Sequence, residues 1–214
     1  MLVVEMHRNF LLKVKSLDRT DIKDTASYDV LFYLNQAQDI LIDKLIAEQK
    51  YDLLRPIILA SEVAAAAFIA TGTYNPGITG AIVVDLSALT TFRTYLRSQS
   101  KLTRTAVPVV SSAIYMQNKP IEKEEIFRWE TNGTNKPIFT NPKEILEGKY
   151  LVVLPDAYST ITHELVSYVK TPTALIMTTP ASDTCDLPAF LHQDIVDLAV
   201  KISTETINIY DTKK

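Results

Sequence analysis

The spacing of apolar residues changes from helical to strand-like along this chain, and that change limits the folds it can adopt. Over residues 27–48 the apolar side chains recur every three or four positions, as on one face of an α-helix. They are Val30, Leu34, Ala37, Leu41 and Leu45. From residue 106 onward they occur in short segments rich in Val, Ile, Thr and Tyr and separated by prolines, a pattern typical of β-strands and their connections.

Two more segments near the N-terminus predict helices. Residues 2–16 have apolar side chains at helical spacing, namely Leu2, Met6, Phe10 and Val14. A third helix is expected from Leu53 to about Ala70, broken at Pro56, because a proline ring is not tolerated inside a helix. Its apolar run over 57–70 contains Glu62 and is too short to cross a bilayer. We interpret that run as a buried helix.

The middle of the chain predicts one more helix and several strands. Residues 81–86, AIVVDL, are expected to be extended, and a helix is expected to begin near Ser87 with Leu89, Phe92 and Leu96 on its buried face. Beyond residue 106, five short segments are expected to form strands. They are VPVVSSAIYM, KPIFTN, YLVVLPDAY, ELVSYVK and TALIMTT.

The chain closes with a predicted helix that opens at Pro188, a residue well suited to a first helical position. Its expected buried face consists of Leu191, Ile195, Leu198 and Ile202. The opposite face consists of Gln193, Asp194, Asp197, Lys201 and Glu205. On that face Asp197 is expected to pair with Lys201, one turn further on.

The order of helices, β-rich middle and closing helix predicts an α+β fold. We expect an N-terminal helical part over residues 1–70 and a mixed region over 71–183 that is β-rich from about 106. A C-terminal helix over 184–214 is expected to pack back on the N-terminal helices. Together these parts are expected to form one structural unit.

The composition is that of an ordinary folded protein. Among 214 residues, 47% are hydrophobic and 22% are charged, which excludes wholesale disorder. The net charge of −3 gives no overall attraction to nucleic acid. The single cysteine cannot form an internal disulfide, which excludes the disulfide-stapled secreted classes.

The sequence contains no motif typical of a catalytic, metal or cofactor site. Its 5 glycines include Gly72, Gly77 and Gly80 in TGTYNPGITG, which lack the spacing of a phosphate-binding loop. We expect that segment to be a flexible turn. His163-Glu164 lacks the second histidine of a zinc-binding helix. We therefore expect no catalytic residue, no metal and no cofactor.

The segment TCDLPAFLHQDIVDLAVKI, residues 184–202, gathers a thiol, an imidazole and several carboxylates. Cys185 lies just before the predicted helix, where the pKa of a thiol can be lowered, and His192 follows it. A nucleophilic Cys–His pair needs a helper motif, and none accompanies this one. We favour a structural helix here. The alternative is a small hydrolase that uses Asp194, Asp197 and His192.

One interval of the chain is free of acidic residues, between Asp85 and Glu122. Four cations within it would line one stripe of a helix. They are Arg93, Arg97, Lys101 and Arg104. Such a row can bind a polyanion or an acidic partner protein, or it can be a solvated helix face.

Three segments of the chain are together similar to segments of one protein family. They are the helix YDVLFYLNQAQDILIDKLI, the strand YLVVLPD with the following HELVSYVKTPTALIM, and the closing TCDLPAFLHQDIVDLAVKI. Together they resemble the head–tail connector, or ring, proteins of crAss-like tailed bacteriophages. In that family a Tyr-Val/Ile-Lys-x-Pro unit precedes a Cys-Asp/Glu-Leu-Pro helix with a His-x-Asp/Glu-Ile-Val-Asp core. The matching residues here are Tyr168, Val169, Lys170 and Pro172, then Cys185 to Pro188, then His192 and Asp194 to Asp197.

The resemblance covers the N-terminal helices and residues 120–205, and it covers 71–118 only loosely. It implies a non-enzymatic virion structural protein, made in the cytoplasm of the bacterial host, that forms a ring of twelve copies at the head–tail junction. Its partners would be the portal protein and other connector or tail ring proteins. Genomic DNA would pass through the lumen without sequence specificity, and no membrane would be involved.

Within such a ring, the cations over residues 93–104 are expected to face the portal or the DNA channel. A third possibility is an adaptor module that binds an acidic partner without forming a ring.

Overall fold

A computed structural model describes residues 1–16, 27–69, 81–106, 109–126, 136–179 and 183–211. The fold is α+β, as the sequence predicts. The helices are α1 (Val3–Ser16), α2 (Ser27–Ala47) and α3 (His192–Asp211). The strands are β1 (Ile58–Ala64), β2 (Ile82–Asp85), β3 (Phe92–Arg104), β4 (Val110–Gln117), β5 (Lys119–Pro120), β6 (Lys143–Glu147), β7 (Tyr150–Leu154) and β8 (Ser159–Lys170). Short 3-10 helices cover Tyr51–Ile57, Ala65–Ala67, Leu86–Ala88 and Ala189–Leu191.

The chain forms two compact units, where the sequence predicted one. A helical unit consists of Met1–Ile57 and Thr171–Lys214, and a β-unit consists of Ile58–Lys170. The predicted boundaries at 70 and 183 are therefore wrong. The physical reason is strand pairing, because Ile58 lies opposite Val169 at the end of β8. The chain thus enters and leaves the β-unit at neighbouring positions.

The helical unit is built from the amphipathic faces that the sequence predicts. α1 buries Val3, Met6, Phe10 and Val14, and α3 packs against both α1 and α2. The buried face of α2 consists of Val30, Leu34, Ala37, Leu41, Ile42 and Leu45. The helices predicted over 2–16 and 27–48, and the return of the closing helix onto them, are confirmed.

The buried face of α3 differs in part from the predicted stripe. Leu191 and Ile195 are buried, whereas Leu198 and Ile202 are half-buried. Val196, Ala199, Val200 and Ser203 take up the rest of the buried face. The face is thus rotated towards the residues that follow Ile195, because α3 contacts both α1 and α2 and needs a wide apolar surface.

The start of α3 and its surface ion pair also differ from the prediction. Pro188 precedes the 3-10 turn Ala189–Leu191 and accepts a hydrogen bond from the Leu191 backbone N–H at 2.9 Å, so it does not begin the α-helix. Asp197 pairs with Lys13 of α1, and Lys201 lies 3.9 Å from Glu205. The predicted Asp197–Lys201 pair is therefore wrong, because packing brings a cation of α1 to Asp197.

The β-unit consists of two four-stranded sheets. The first has the order β1-β8-β3-β4 and is antiparallel. The second has the order β2-β7-β6-β5, in which β5 is parallel to β6 and the other pairs are antiparallel. The sheets share an apolar core to which Leu102 and Val166 contribute from the first sheet and Val84 and Leu151 from the second. The opposite face of the second sheet is also buried, under Ile126 and its neighbours, so this sheet is covered on both faces.

Two segments predicted to be helical are strands. Within the described part of 53–70 the chain forms the end of the 3-10 helix Tyr51–Ile57, just after Pro56, followed by β1. The helix expected from Ser87 is a single 3-10 turn, followed by β3. In β3 the pairing with β8 shifts at Phe92/Thr94, at Tyr95/Arg97 and at Lys101/Leu102. Such β-bulges break the strict alternation of a strand, so apolar residues at β-bulges can imitate helical spacing.

The remaining expectations are resolved segment by segment. AIVVDL, VPVVSSAIYM, YLVVLPDAY and ELVSYVK contain strands. KPIFTN forms only an isolated bridge between Ile138 and Asn141, and TALIMTT forms no strand. The glycine turn over 71–80 lies outside the described residues. Within the described part of the chain, no helix combines the length and apolar character that crossing a membrane requires.

Candidate functional site

The predicted basic row lies on strand β3 and not on a helix. Arg97 is exposed, and it forms no ion pair within the described residues. Arg93, Lys101 and Arg104 are half-buried. A strand with three register shifts does not place residues of spacing four, four and three on one line. The helical stripe on which the prediction rested is therefore wrong, and the role of these cations stays a prediction.

Lys101 is paired with an acid from another strand. Its Nζ lies 3.6 Å from Oε1 of Glu62 on β1 and 5.4 Å from the ring centre of Tyr115 on β4. The Tyr115 hydroxyl donates to the same Glu62 oxygen at 2.5 Å. This hydrogen bond, with help from the Lys101 charge, holds the pKa of Glu62 below its usual range.

Arg104 is also paired. Its Nε lies 3.5 Å from Oδ2 of Asp156, and both side chains are largely buried. The guanidinium carbon lies 5.7 Å from the ring centre of Phe139, a cation–π distance. The interval that is free of acids in sequence therefore has acids beside it in space, supplied by β1 and by the segment before β8.

The thiol and imidazole near α3 do not form a reactive pair. The Cys185 Sγ lies 3.7 Å from Oε1 of Gln38, and burial raises the pKa of this thiol. The His192 Nε2 lies 2.7 Å from the carbonyl oxygen of Leu187, and burial lowers the pKa of the imidazole. Cys185 and His192 thus bond to other partners rather than to each other, and the raised pKa of the thiol disfavours the thiolate that a nucleophilic cysteine needs.

The residues of the alternative hydrolase do not converge either. His192 is buried, whereas Asp194 and Asp197 are exposed on the other face of α3. Across the residues that the structure describes, no group of three or more His, Cys, Asp or Glu side chains is arranged to hold a metal ion. The geometry around α3 thus fits a helix that packs, with a polar outer face.

The sequence did not reveal a buried polar cluster in the β-unit, which we call the polar cluster. Its members are Ser98, Ser100, Asn118, Glu144 and Glu164. All five are at most 3% exposed. Buried carboxyl groups are rare in proteins unless hydrogen bonds satisfy them. Their partners therefore decide what this arrangement can do.

Hydrogen bonds join the members of the polar cluster into one network. Ser98 Oγ lies 2.5 Å from Glu144 Oε2, and Ser100 Oγ lies 2.7 Å from Glu164 Oε2. The Asn118 Nδ2 lies 2.5 Å from Ser98 Oγ and 2.6 Å from Glu164 Oε1. The Asn118 Oδ1 lies 2.8 Å from Ser100 Oγ.

Strand alternation in β3 places two members of the cluster on its inner face, and Ser100 lies directly opposite Glu164 of β8. Ser98 and Ser100 alternate with the core residue Leu102, as inward-facing strand residues do. The β-bulge between Tyr95 and Arg97 adds a residue opposite β8. Tyr95 therefore also packs on the interior, although it lies three positions before Ser98 and regular alternation would place the two on opposite faces.

Burial dominates the electrostatics of the two glutamates. It raises the pKa of Glu164 to about 7 and raises the pKa of Glu144 in the same direction, because a carboxylate loses its hydration when buried. The Tyr95 hydroxyl lies near Glu144 without a hydrogen bond of normal geometry. Burial, with the Glu144 charge, raises the pKa of Tyr95 as well.

A cleft of about 380 Å³ opens beside the cluster. Glu144 lines it together with Tyr95, Ile121, Lys123 and Glu147. Lys123 forms an ion pair with Glu147 at 2.8 Å. Glu164 does not line this cleft, so the carboxyl whose pKa rises to about 7 is not at its surface. Glu164 is thus placed to hold a proton inside the β-unit rather than to exchange one with a molecule bound in the cleft.

The cluster left only a weak signal in the sequence. Ser98 and Ser100 lay in a segment predicted to be helical, where their alternation had no meaning. Glu164 alternates with Val166 and Tyr168, which are both buried, and a charged residue at an inward strand position was the available signal. Asn118 and Glu144 carry no such signal.

Comparison with known proteins adds no family assignment. No protein-family model matches the chain, and a search of curated proteins finds no significant match.

Proposed function

We propose that this chain is a non-enzymatic virion structural protein that forms a ring at the junction of a phage head and its tail. The resemblance of the N-terminal helices and of residues 120–205 to connector proteins supports the proposal. Its neighbours in the particle would be the portal protein and other connector or tail ring proteins. Genomic DNA would pass through the lumen.

The open edges of the first sheet are the observation that carries the proposal. β1 and β4 are its outer strands, and no strand within the described ranges pairs with their outer sides. Unpaired backbone groups of an edge strand readily bind a strand of another chain. Because β1 and β4 lie at opposite ends of one sheet, pairing β1 of one copy with β4 of the next is a head-to-tail contact. Repeated contacts of this kind form a ring when the rotation from one copy to the next closes on itself.

Apolar side chains accompany both edges. On β1, Leu59 is 39% exposed, and on β4, Ile114 and Tyr115 are 36% and 43% exposed. Ile114 lies opposite Leu102, which is fully buried, so the core of the sheet is uncovered at this end. Contact with a neighbouring subunit would remove these side chains from water.

The cations of β3 would have a smaller part in this ring than the sequence suggested. Lys101 and Arg104 have acidic partners within the β-unit. Arg97 is the exposed cation of the row, and its guanidinium suits a phosphate or carboxylate of a neighbour. A single arginine per subunit, repeated around a ring, would contact DNA without reading its sequence.

The test is the assembly state of edge variants. Ile114→Lys and Leu59→Lys each add a charge to one open edge, and each is expected to abolish or sharply reduce ring formation. Light scattering after size exclusion, with and without the portal protein, measures the mass, and negative-stain images show the rings. The control is Leu146→Lys, because Leu146 is 50% exposed but lies on β6, which has partners on both sides.

Two outcomes would count against the proposal. A wild-type chain that stays monomeric at all concentrations, with the portal protein present, would favour the adaptor module that forms no ring. Rings from both edge variants, at the wild-type yield, would show that the edges of the first sheet do not join subunits. Circular dichroism of each variant should match the wild-type spectrum.

A further inference from the structure

The polar cluster joins the two sheets of the β-unit. Ser98, Ser100 and Glu164 belong to β3 and β8 of the first sheet, and Glu144 belongs to β6 of the second. Asn118 lies between β4 and β5, where the chain passes from one sheet to the other. The protonation state of this cluster therefore concerns the contact between the sheets.

The number of hydrogen atoms in the cluster is too small for its contacts. Five contacts at hydrogen-bond distance connect its members. The side chains supply four hydrogens when both carboxyls are ionised, one from each serine hydroxyl and two from the asparagine amide. A fifth hydrogen is therefore required, and a carboxyl group is the source that remains.

The contacts also show which carboxyl carries that hydrogen. The Ser100 hydroxyl touches two acceptors, the Asn118 carbonyl oxygen at 2.8 Å and Glu164 Oε2 at 2.7 Å. Its single hydrogen can serve one of them, and the carbonyl has none to give. Glu164 must then donate to Ser100. Glu144 needs no proton, since Ser98 donates to it.

The conclusion holds for either orientation of the Asn118 amide. With the amide reversed, its oxygen would face Ser98 Oγ and Glu164 Oε1. One amide hydrogen would then serve the cluster instead of two, and both glutamates would have to be protonated. At least one carboxyl proton is needed in each case, and Glu164 holds one in both.

We propose that Glu164 holds a dissociable proton that closes the hydrogen-bond network between the two sheets, and that its release to solvent loosens their contact. When the proton leaves, Ser100 faces two acceptors with one hydrogen, and a second carboxylate appears beside Glu144. The β-unit thus contains a pH-sensitive switch at its sheet–sheet contact. The O–H bond of the carboxyl group breaks, its electron pair stays on the oxygen, and the proton passes to water.

The groups around Glu164 offer no compensation for its charge. From β3 it faces Ser98 and Ser100, from the β4–β5 connection Asn118, and from β6 Glu144. Tyr95 of β3 is the other titratable group that interacts with it. Within the described parts of the chain, no lysine, arginine or histidine forms an ion pair with either glutamate. An unpaired buried carboxylate is strongly unfavourable.

The pH dependence has a definite sign. An unfolded chain releases the Glu164 proton near the ordinary pKa of 4.5, while the folded protein keeps it until about pH 7. The folded state therefore binds more protons over this window, and stability falls as pH rises through it. Above the window both states are ionised and the loss is complete. The folding equilibrium constant should fall on the order of a hundredfold across the window.

Glu164→Gln tests the switch in the full-length chain. The Gln amide can donate to Ser100 and accept from Asn118 without a proton to lose, so the urea midpoint of this variant should fall much less between pH 5 and pH 8 than that of the wild type. The control is Glu62→Gln, which removes an exposed carboxylate of the same unit. Its midpoint should fall as that of the wild type does. Amide hydrogen exchange in β3 and β6, corrected for its intrinsic pH dependence, should accelerate at pH 8 in the wild type and in Glu62→Gln but not in Glu164→Gln.

A second measurement applies even if Glu164→Gln fails to fold. Wild-type chain labelled with ¹³C at the glutamate carboxyls should show one resonance with a titration midpoint near pH 7. If every glutamate carboxyl titrates below pH 5.5, Glu164 holds no proton at neutral pH and the proposal is overturned. It is also overturned if Glu164→Gln and wild type lose stability equally between pH 5 and pH 8.

Discussion

At the scale of single residues, the side chain of Asn35 binds a backbone segment that is distant in sequence. Its Oδ1 accepts from the Leu175 N–H at 2.7 Å, and its Nδ2 donates to the Leu175 carbonyl at 3.0 Å. The side-chain amide thus gives Leu175 the two bonds that a neighbouring strand would have given. The segment 173–179 has a strand-like composition but belongs to no sheet.

Replacement of Asn35 should show how much these two hydrogen bonds contribute to the free energy of unfolding. Asn35→Ala leaves both backbone groups of Leu175 without their partner, and we expect the free energy of unfolding to fall by about 2 kcal/mol. Urea denaturation of the full-length chain measures it. Asn9→Ala is the matched control, because Asn9 is also half-buried on a helix but, within the described residues, its side chain hydrogen-bonds only to the Met1 sulfur, at 3.4 Å. Equal losses in both variants would contradict this assignment.

Contacts between single residues that are distant in sequence also explain why the polar cluster could not be predicted. Each of its hydrogen bonds joins residues at least 18 positions apart. Glu164 stands at an inward strand position, which a sequence can show. Whether Ser100 or Asn118 meets it depends on the register of β3 against β8 and on the path from β4 to β5. Neither can be obtained from the periodicity of one segment.

At the scale of elements, burial on one face is what made an element predictable. α1 and α2 each contact neighbours on one side, so their apolar spacing identified them within one residue of their bounds. β3 was taken for a helix, because its β-bulges at Phe92/Thr94 and Tyr95/Arg97 shift side chains from one face to the other. β1 was taken for a helix because it lies in the apolar run over 57–70, which was interpreted as a buried helix. Strand pairing with β8 overrides that local preference.

Two side-chain truncations test which residues of α3 face the core. Ile195 is fully buried, so Ile195→Ala should cost about 3 kcal/mol of unfolding free energy. Leu198, which the sequence placed on the same stripe, is half-buried, and Leu198→Ala should cost roughly half as much or less. Denaturation midpoints at constant m-value compare them. A larger loss at Leu198 would show that the helix faces the core as the sequence predicted.

At the scale of the whole molecule, the β-unit is inserted between the two parts of the helical unit. The sequence predicted N-terminal helices, a β-rich middle and a closing helix but not this insertion, because its boundaries depend on pairing between Ile58 and Val169. Residues so far apart in sequence leave no local signal of their contact. The predicted boundary at residue 70 followed a change in composition, whereas the observed one follows a hydrogen-bond ladder.

This topology predicts that residues 58–170 fold alone. Their two ends meet on adjacent strands β1 and β8, and the apolar core between the sheets is built from this unit's own residues. The isolated polypeptide should show a β-type circular dichroism spectrum and one cooperative unfolding transition in urea. Val166→Asp places a charge at a fully buried core position and should abolish the transition. Val109→Asp, at a position 64% exposed, should leave it nearly unchanged. A wild-type fragment without a cooperative transition would show that the β-unit needs the helical unit in order to fold.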